Sequence, residues 1–197
     1  MIEKWSGIRE AITRAHDWVA SLRRENMSAD VSGQIEARLS LTDDPIERAE
    51  LLFLLSGELF RHSKDREAEA VAQRYVEEFP QNVRAWINSA ELRSMSGYRS
   101  ELAAPAIEQA IALAKESGEF LRECYGVKAR IALAMKDNAL LNEAIRQMIE
   151  LGPRKDLVDI GVESDFVERA PDGSIEPDVM EGFRKLYLEY YGRPFAG

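Results

Sequence analysis

The chain predicts an all-α fold, and three observations carry that expectation. Three segments share one skeleton: a bulky residue (Leu52, Trp86, Tyr125), then small residues, then an alanine-rich second helix closed by Pro80, Gly118 or Pro153. Nothing alternates with period two, so the apolar spacing favours helices over strands. β-branched residues, which suit strands, are sparse. Self-similarity at a fixed period also predicts stacked helical hairpins, since each hairpin hides its apolar face against the next.

Taken in order, residues 3–25 read as an amphipathic helix, with Ile2, Trp5, Ile8, Ile12, Ala15, Val19 and Leu22 at three- and four-residue steps. Asn26 and the polar run to Asp30 break it. A shorter helix over about 30–40 carries Val31, Ile35 and Leu39, with Gly33 weakening it. Asp44-Pro45-Ile46-Glu47 is a strong start signal: a capping acid, a proline whose missing N–H is harmless, and a Glu placed to reach back. The helix from Pro45 to about His62 is apolar over most of its surface and is expected to be the most buried. Its partner over 64–78 presents Ala68, Ala72 and Tyr75 on one face and Glu69, Gln73 and Glu77 on the other, and Phe79-Pro80 ends it. Further pairs are expected over 82–96 and 103–117, then 119–136 and 138–151, closed by Gly97, Gly118 and Gly152-Pro153. Beyond Pro153 the pattern loosens. Leu157, Val158 and Ile160 suggest a short helix, Asp165–Arg169 one more turn, Ala170–Ser174 a turn, and Pro177 opens a last helix to about Tyr191.

These residues resemble the tetratricopeptide repeat family, whose helix–turn–helix unit has a 34-residue period and a pattern of Trp, Leu-Gly, Tyr, Ala, Phe and Pro. Leu52 and Trp86 are 34 residues apart, and Trp86 is followed by Ala90 and Gly97. The copy before it carries Leu55, Ser56, Leu59, Ala68, Ala72, Tyr75 and Pro80. The copy after it carries Tyr125, Ala129, Ala132, Leu141, Ile145, Met148 and Pro153. Ser89, Arg93 and Lys128 depart from the large residues the pattern expects. A long connection around Tyr98–Ala104 stretches the middle copy. Trp18 lies 34 residues before Leu52, so the first two helices are either a worn extra repeat or a cap.

The resemblance implies a right-handed α-α superhelix of stacked hairpins with N- and C-terminal capping helices. One all-helical domain, 1–197, is expected, made of N-terminal helices or a degenerate repeat (1–44), about three hairpins (45–153) and a C-terminal extension (154–197). It also implies a concave groove lined by the first helices of successive hairpins. Phe53, Leu54, Phe60, Arg84, Ile87, Asn88, Glu91, Met95, Val127 and Arg130 are then placed toward that groove, unless terminal helices fill it. Asn88 matches one position of the family's carboxylate clamp. Phe53 and Gly57 stand where the preceding copy would supply others, so a clamp is not expected. On the C-terminal helix Phe183, Leu186, Tyr187 and Tyr190 form one stripe, either a cap on the last hairpin or a self-association face that would make a homodimer.

Composition narrows the function classes. Hydrophobic residues are 45% and charged residues 31%, ordinary for a soluble folded chain, and the net charge of −9 disfavours phosphate backbones, so no nucleic-acid partner is expected. The start lacks a basic stretch leading into an apolar run and the longest apolar stretch is Leu51–Leu55, so neither signal peptide nor membrane span is expected and the cytoplasm is the expected compartment. A single cysteine, Cys124, rules out an intrachain disulfide or a thiolate zinc site. His16 and His62 are the only imidazoles, and no Glu-x-x-His unit or phosphate-cradling glycine loop is present, so neither metal nor cofactor is expected. Asp172-Gly173-Ser174 has the centre of a calcium loop but Val179 where the bidentate Glu belongs, and a plain turn is expected. The expected function is non-catalytic: a scaffold or adaptor holding a peptide or partner helix in the groove. The alternatives are an α-helical enzyme or small-molecule binder, with a pocket around Asn88, Glu91 and Arg130, and a structural homo-oligomer built through the last helix.

Overall fold

The computed structural model of the chain describes residues 2–25, 31–97, 100–152 and 165–195. Regular structure among them is helical throughout: α1 (Ile2–Glu25), α2 (Val31–Leu39), α3 (Pro45–Arg61), α4 (Asp65–Glu78), α5 (Val83–Ser96), α6 (Ala103–Ser117), α7 (Leu121–Met135), α8 (Asn138–Glu150), α9 (Asp165–Arg169) and α10 (Pro177–Tyr191), with a 3₁₀ turn at Ser100–Leu102. Helices α3–α4, α5–α6 and α7–α8 each pair as a hairpin of chain neighbours. The short helix expected near Leu157–Ile160 and the residues Tyr98 and Pro153 lie outside the described residues.

The chain divides into two compact units, Met1–Pro80 and Gln81–Gly197. In the first, α3 is the centre and packs against α1, α2 and α4. Its start follows the sequence signal, with Asp44 Oδ1 accepting from the Ile46 N–H at 3.0 Å and Pro45 in the first turn. The expected reach of Glu47 back to the cap is replaced. Glu47 instead accepts from Arg38 Nε at 2.7 Å and Thr42 Oγ1 at 2.9 Å, because the chain from α2 brings those donors close. Leu51, Leu52, Leu55 and Leu59 of α3 are buried, as is the Ala68, Ala72 and Tyr75 stripe of α4 predicted from spacing. Glu69, expected on the solvated face of α4, is buried beside that stripe. Arg48 binds both Glu78 oxygens and the Leu39 carbonyl, tying the ends of α2 and α4 to α3. That bidentate hydrogen bond, against the opposing effect of burial, holds the Glu78 carboxyl below the usual range.

The second unit stacks α7 on both α5 and α6, adds α9 to α7, and closes with α10 on α8. Small residues at the crossings (Ala90, Ala106, Ala110, Ala129, Ala132) let the helices approach closely, while Ile107, Leu141, Ile145 and Met148 fill the spaces between them. Gly97 (φ +69°) and Gly118 (φ +75°) end α5 and α6 in the left-handed region, where a side chain would be strained. Lys128, on α7, is buried between α6 and α8. Burial alone would lower its ammonium, yet the Glu108 hydrogen bond at 2.9 Å and the charges of Glu108 and Glu143 hold it above the ordinary lysine range. Cys124 is buried in the same core, which pushes its thiol well up and keeps it protonated.

The last helix joins this unit through a polar clamp and an aromatic cluster. Asn142 Nδ2 donates to the carbonyls of Asn138 (2.6 Å) and Ser174 (2.9 Å), and its Oδ1 accepts from the Glu176 N–H at 2.8 Å. The 171–174 segment is thereby a turn, closed by Ser174 N–H to the Pro171 carbonyl at 3.0 Å. Phe183 packs edge-on against Phe166 (5.8 Å between centroids) and Phe195 (5.6 Å). Arg122 donates to the Gly152 carbonyl and stacks 5.2 Å from the Tyr190 ring.

Candidate functional site

A cleft of about 450 Å³ opens in the second unit, lined by Glu91, Ser94 and Met95 of α5, Arg130, Leu133 and Ala134 of α7, and Asp165 and Arg169 of α9. Local sequence positions each wall. Asn82 caps α5 by accepting from the Arg84 N–H at 3.0 Å, and the left-handed Gly97 stops it one residue after Ser96. Helix α7 is bounded by its cap residues Phe120 and Lys136, both with positive φ. Helix α9 has only five residues, but Phe166 and Val167 are buried in the core and so fix the neighbouring Asp165 at the cleft.

The chemistry of the cleft is a chain of four charges. Arg130, 17% exposed, reaches Glu91 through Nη2 and Asp165 Oδ1 through Nη1 at 3.3 Å. Asp165 Oδ2 lies 3.7 Å from Arg169 Nη1. Among the described residues two acids and two bases meet in this row, so the partly desolvated Arg130 guanidinium lies between opposite charges. Beside this row Met95 is 59% exposed and Ala134 is open to solvent. Such a surface accommodates an apolar side chain with polar edges.

Of the residues placed toward a groove by sequence, Glu91, Met95 and Arg130 come together here. Arg84 lies half-buried in the first turn of α5, away from the lining. Ile87, Asn88 and Val127 are 2%, 5% and 1% exposed, so their side chains contribute to the interior of the unit. Phe53, Leu54 and Phe60 belong to α3 in the first unit, where Leu54 is buried and the Phe53 ring stands 6.5 Å from that of His16 on α1. In the C-terminal stripe Phe183 and Leu186 are buried and Tyr187 and Tyr190 half-buried, leaving Leu188 and Tyr191 as the exposed apolar residues of α10. Asp165, Arg169, Ser94, Leu133 and Ala134 were not singled out by sequence. A signal existed: Asp165 stands 35 residues after Arg130, close to the repeat period, which puts α9 where a further first helix would stand.

Among the described residues no helix is long and apolar enough to cross a membrane, and no group of three or more His, Cys, Asp or Glu residues is placed to hold a metal. No family model, curated protein or solved structure gives a significant match to the chain.

Proposed function

We propose that this chain is a tetratricopeptide-like scaffold or adaptor, non-catalytic, that holds a peptide or a partner helix against the face made by α5, α7 and α9. The supporting observation is the cleft itself: first helices of successive hairpins carry an exposed apolar residue, Met95, next to a fixed row of charges. Helix-in-groove recognition uses such a combination, an apolar anchor for affinity and charged edges for register.

The test is Met95→Asp combined with Ala134→Arg, both at exposed positions where the fold tolerates change. A partner captured by crosslinking and mass spectrometry should be lost at least ten-fold by the double variant, with its helical circular dichroism unchanged. Retention of the partner at full strength would sink the proposal. A second reading has its own support: 450 Å³ lies within the range of about 300–1,000 Å³ typical of small-ligand sites. Native mass spectrometry showing a bound small molecule that the same double variant loses would favour that reading over a peptide.

A further inference from the structure

The four charges of the cleft are not equally spent. Arg130 meets a carboxylate on either side, Glu91 through Nη2 and Asp165 through Nη1. Asp165 turns one oxygen toward each of two guanidiniums, Oδ1 to Arg130 and Oδ2 to Arg169. Glu91 accepts from Arg130, and its side chain is 29% exposed. Arg169 differs from these three. Its Nη1 stands 3.7 Å from Asp165, beyond hydrogen-bond length, and its side chain is 68% exposed. Among the described residues no acceptor lies within hydrogen-bond reach of this guanidinium.

The backbone that carries Arg169 is nonetheless fixed. Phe166, one turn earlier on α9, is fully buried with its ring 5.8 Å from that of Phe183. A guanidinium offers five N–H donors in a planar fork, and a carboxylate is the group that matches the fork with two parallel hydrogen bonds. Beside it the lining is apolar: Met95 and Ala134 are exposed and Leu133 half-buried. The unspent chemistry of the cleft is therefore an open cationic fork at the edge of an apolar floor. The net charge of −9 acts in the opposite sense, since at long range it attracts cationic partners. Salt screens that attraction beyond about 8 Å at physiological ionic strength, whereas a contact at Arg169 survives. The two effects predict opposite orders of affinity.

We infer that the occupant of the cleft is an amphipathic helix with acidic flanks. Its apolar side chains rest on Met95, Leu133 and Ala134, and a side-chain carboxylate of one flank takes the fork of Arg169. The inference rests on the groove reading and adds the charge of the partner.

The probes are three fluorescein-labelled peptides of about 15 residues that share leucines at i, i+3, i+4 and i+7 and carry Glu, Gln or Lys along both flanks. Each is titrated by anisotropy into the full-length chain at physiological ionic strength. The Glu peptide should bind at least ten-fold more tightly than the Gln peptide, and the Lys peptide most weakly. Arg169→Gln should bring the Glu and Gln peptides to equal affinity, and Arg169→Glu should place the Lys peptide first. Helical circular dichroism checks the fold of each variant, and Arg169→Lys, which keeps the charge without the fork, should retain the wild-type order with a smaller gap.

Equal binding of the Glu and Gln peptides to wild type, with both lost in the Met95→Asp, Ala134→Arg variant, would overturn the acidic assignment and leave the groove reading standing. Tightest binding by the Lys peptide would overturn it in favour of the overall charge. A preference for the Glu peptide that persists in Arg169→Gln, or that survives the Met95→Asp, Ala134→Arg double change, would remove it from this cleft and overturn it as well. If none of the three binds wild type, the acidic-helix assignment falls, while the groove reading is decided by the crosslinked partner.

Discussion

Buried polar residues decide the character of this molecule at the residue scale. Lys128 and Ser89 stand at positions where the repeat pattern expects large apolar side chains, and both are buried. Lys128 is held by Glu108 and Glu143, which are themselves mostly exposed and would be hydrated without it. Replacing a buried ion by an apolar group of similar volume is often neutral or stabilising. Lys128→Leu is accordingly expected to raise stability by about 1 kcal/mol, read as a higher urea midpoint at unchanged slope. A lowered midpoint would show that the two ion pairs contribute more than their solvent-facing partners suggest. His16 and Glu50 teach a related lesson. Each looked ordinary in sequence, His16 beside Asp17 and Glu50 inside a leucine-rich run, and their pairing across 34 residues follows only from the packing of α1 on α3.

Elements were the most legible level. The periodicity, the Asp44-Pro45 start and the glycine stops located the ten helices of the described residues, to within a residue or two at most ends, because these signals act within a single turn of chain. Contacts between elements were harder. Nothing local marks Asn142 as the residue that fastens the chain after α9 to α8, since its partners are backbone groups of Ser174 and Glu176 more than thirty residues away. Asn142→Ala would remove three hydrogen bonds and leave the Ser174 carbonyl without this donor, a loss of about 2–3 kcal/mol. Thermal melting should shift down, and amide exchange should accelerate in α10 before it does in α8. Equal loss of protection in both helices would mean that the aromatic cluster of Phe166, Phe183 and Phe195, and not the clamp, holds α10 in place.

On the scale of the whole molecule, the closely packed helix pairs among the described residues of each unit lie at most two helices apart along the chain. Local contacts form with little loop-closure entropy, so most of the helical signal is expected to return within milliseconds of dilution from denaturant in a stopped-flow experiment. A main phase lasting seconds would contradict that expectation. The candidate cleft was half legible for the same reason of range. Glu91, Met95 and Arg130 could be placed on one face by counting turns, but Ile87, Asn88 and Val127, counted in the same way, are buried inside the unit. Helical phase gives direction to within about one residue step, and a helix covered on several sides has interior and cleft positions only one such step apart. Sequence by itself determined the helical class, the element boundaries and the hairpin pairing, because propensity, capping and periodicity are properties of adjacent residues. Tertiary structure alone decided which charges face each other, that α1 lies over the Glu50 and Glu58 side of α3, and that Asp165 completes the row begun by Glu91 and Arg130. Those choices depend on how helices rotate against one another to bury apolar surface, and no local stretch of chain contains that information.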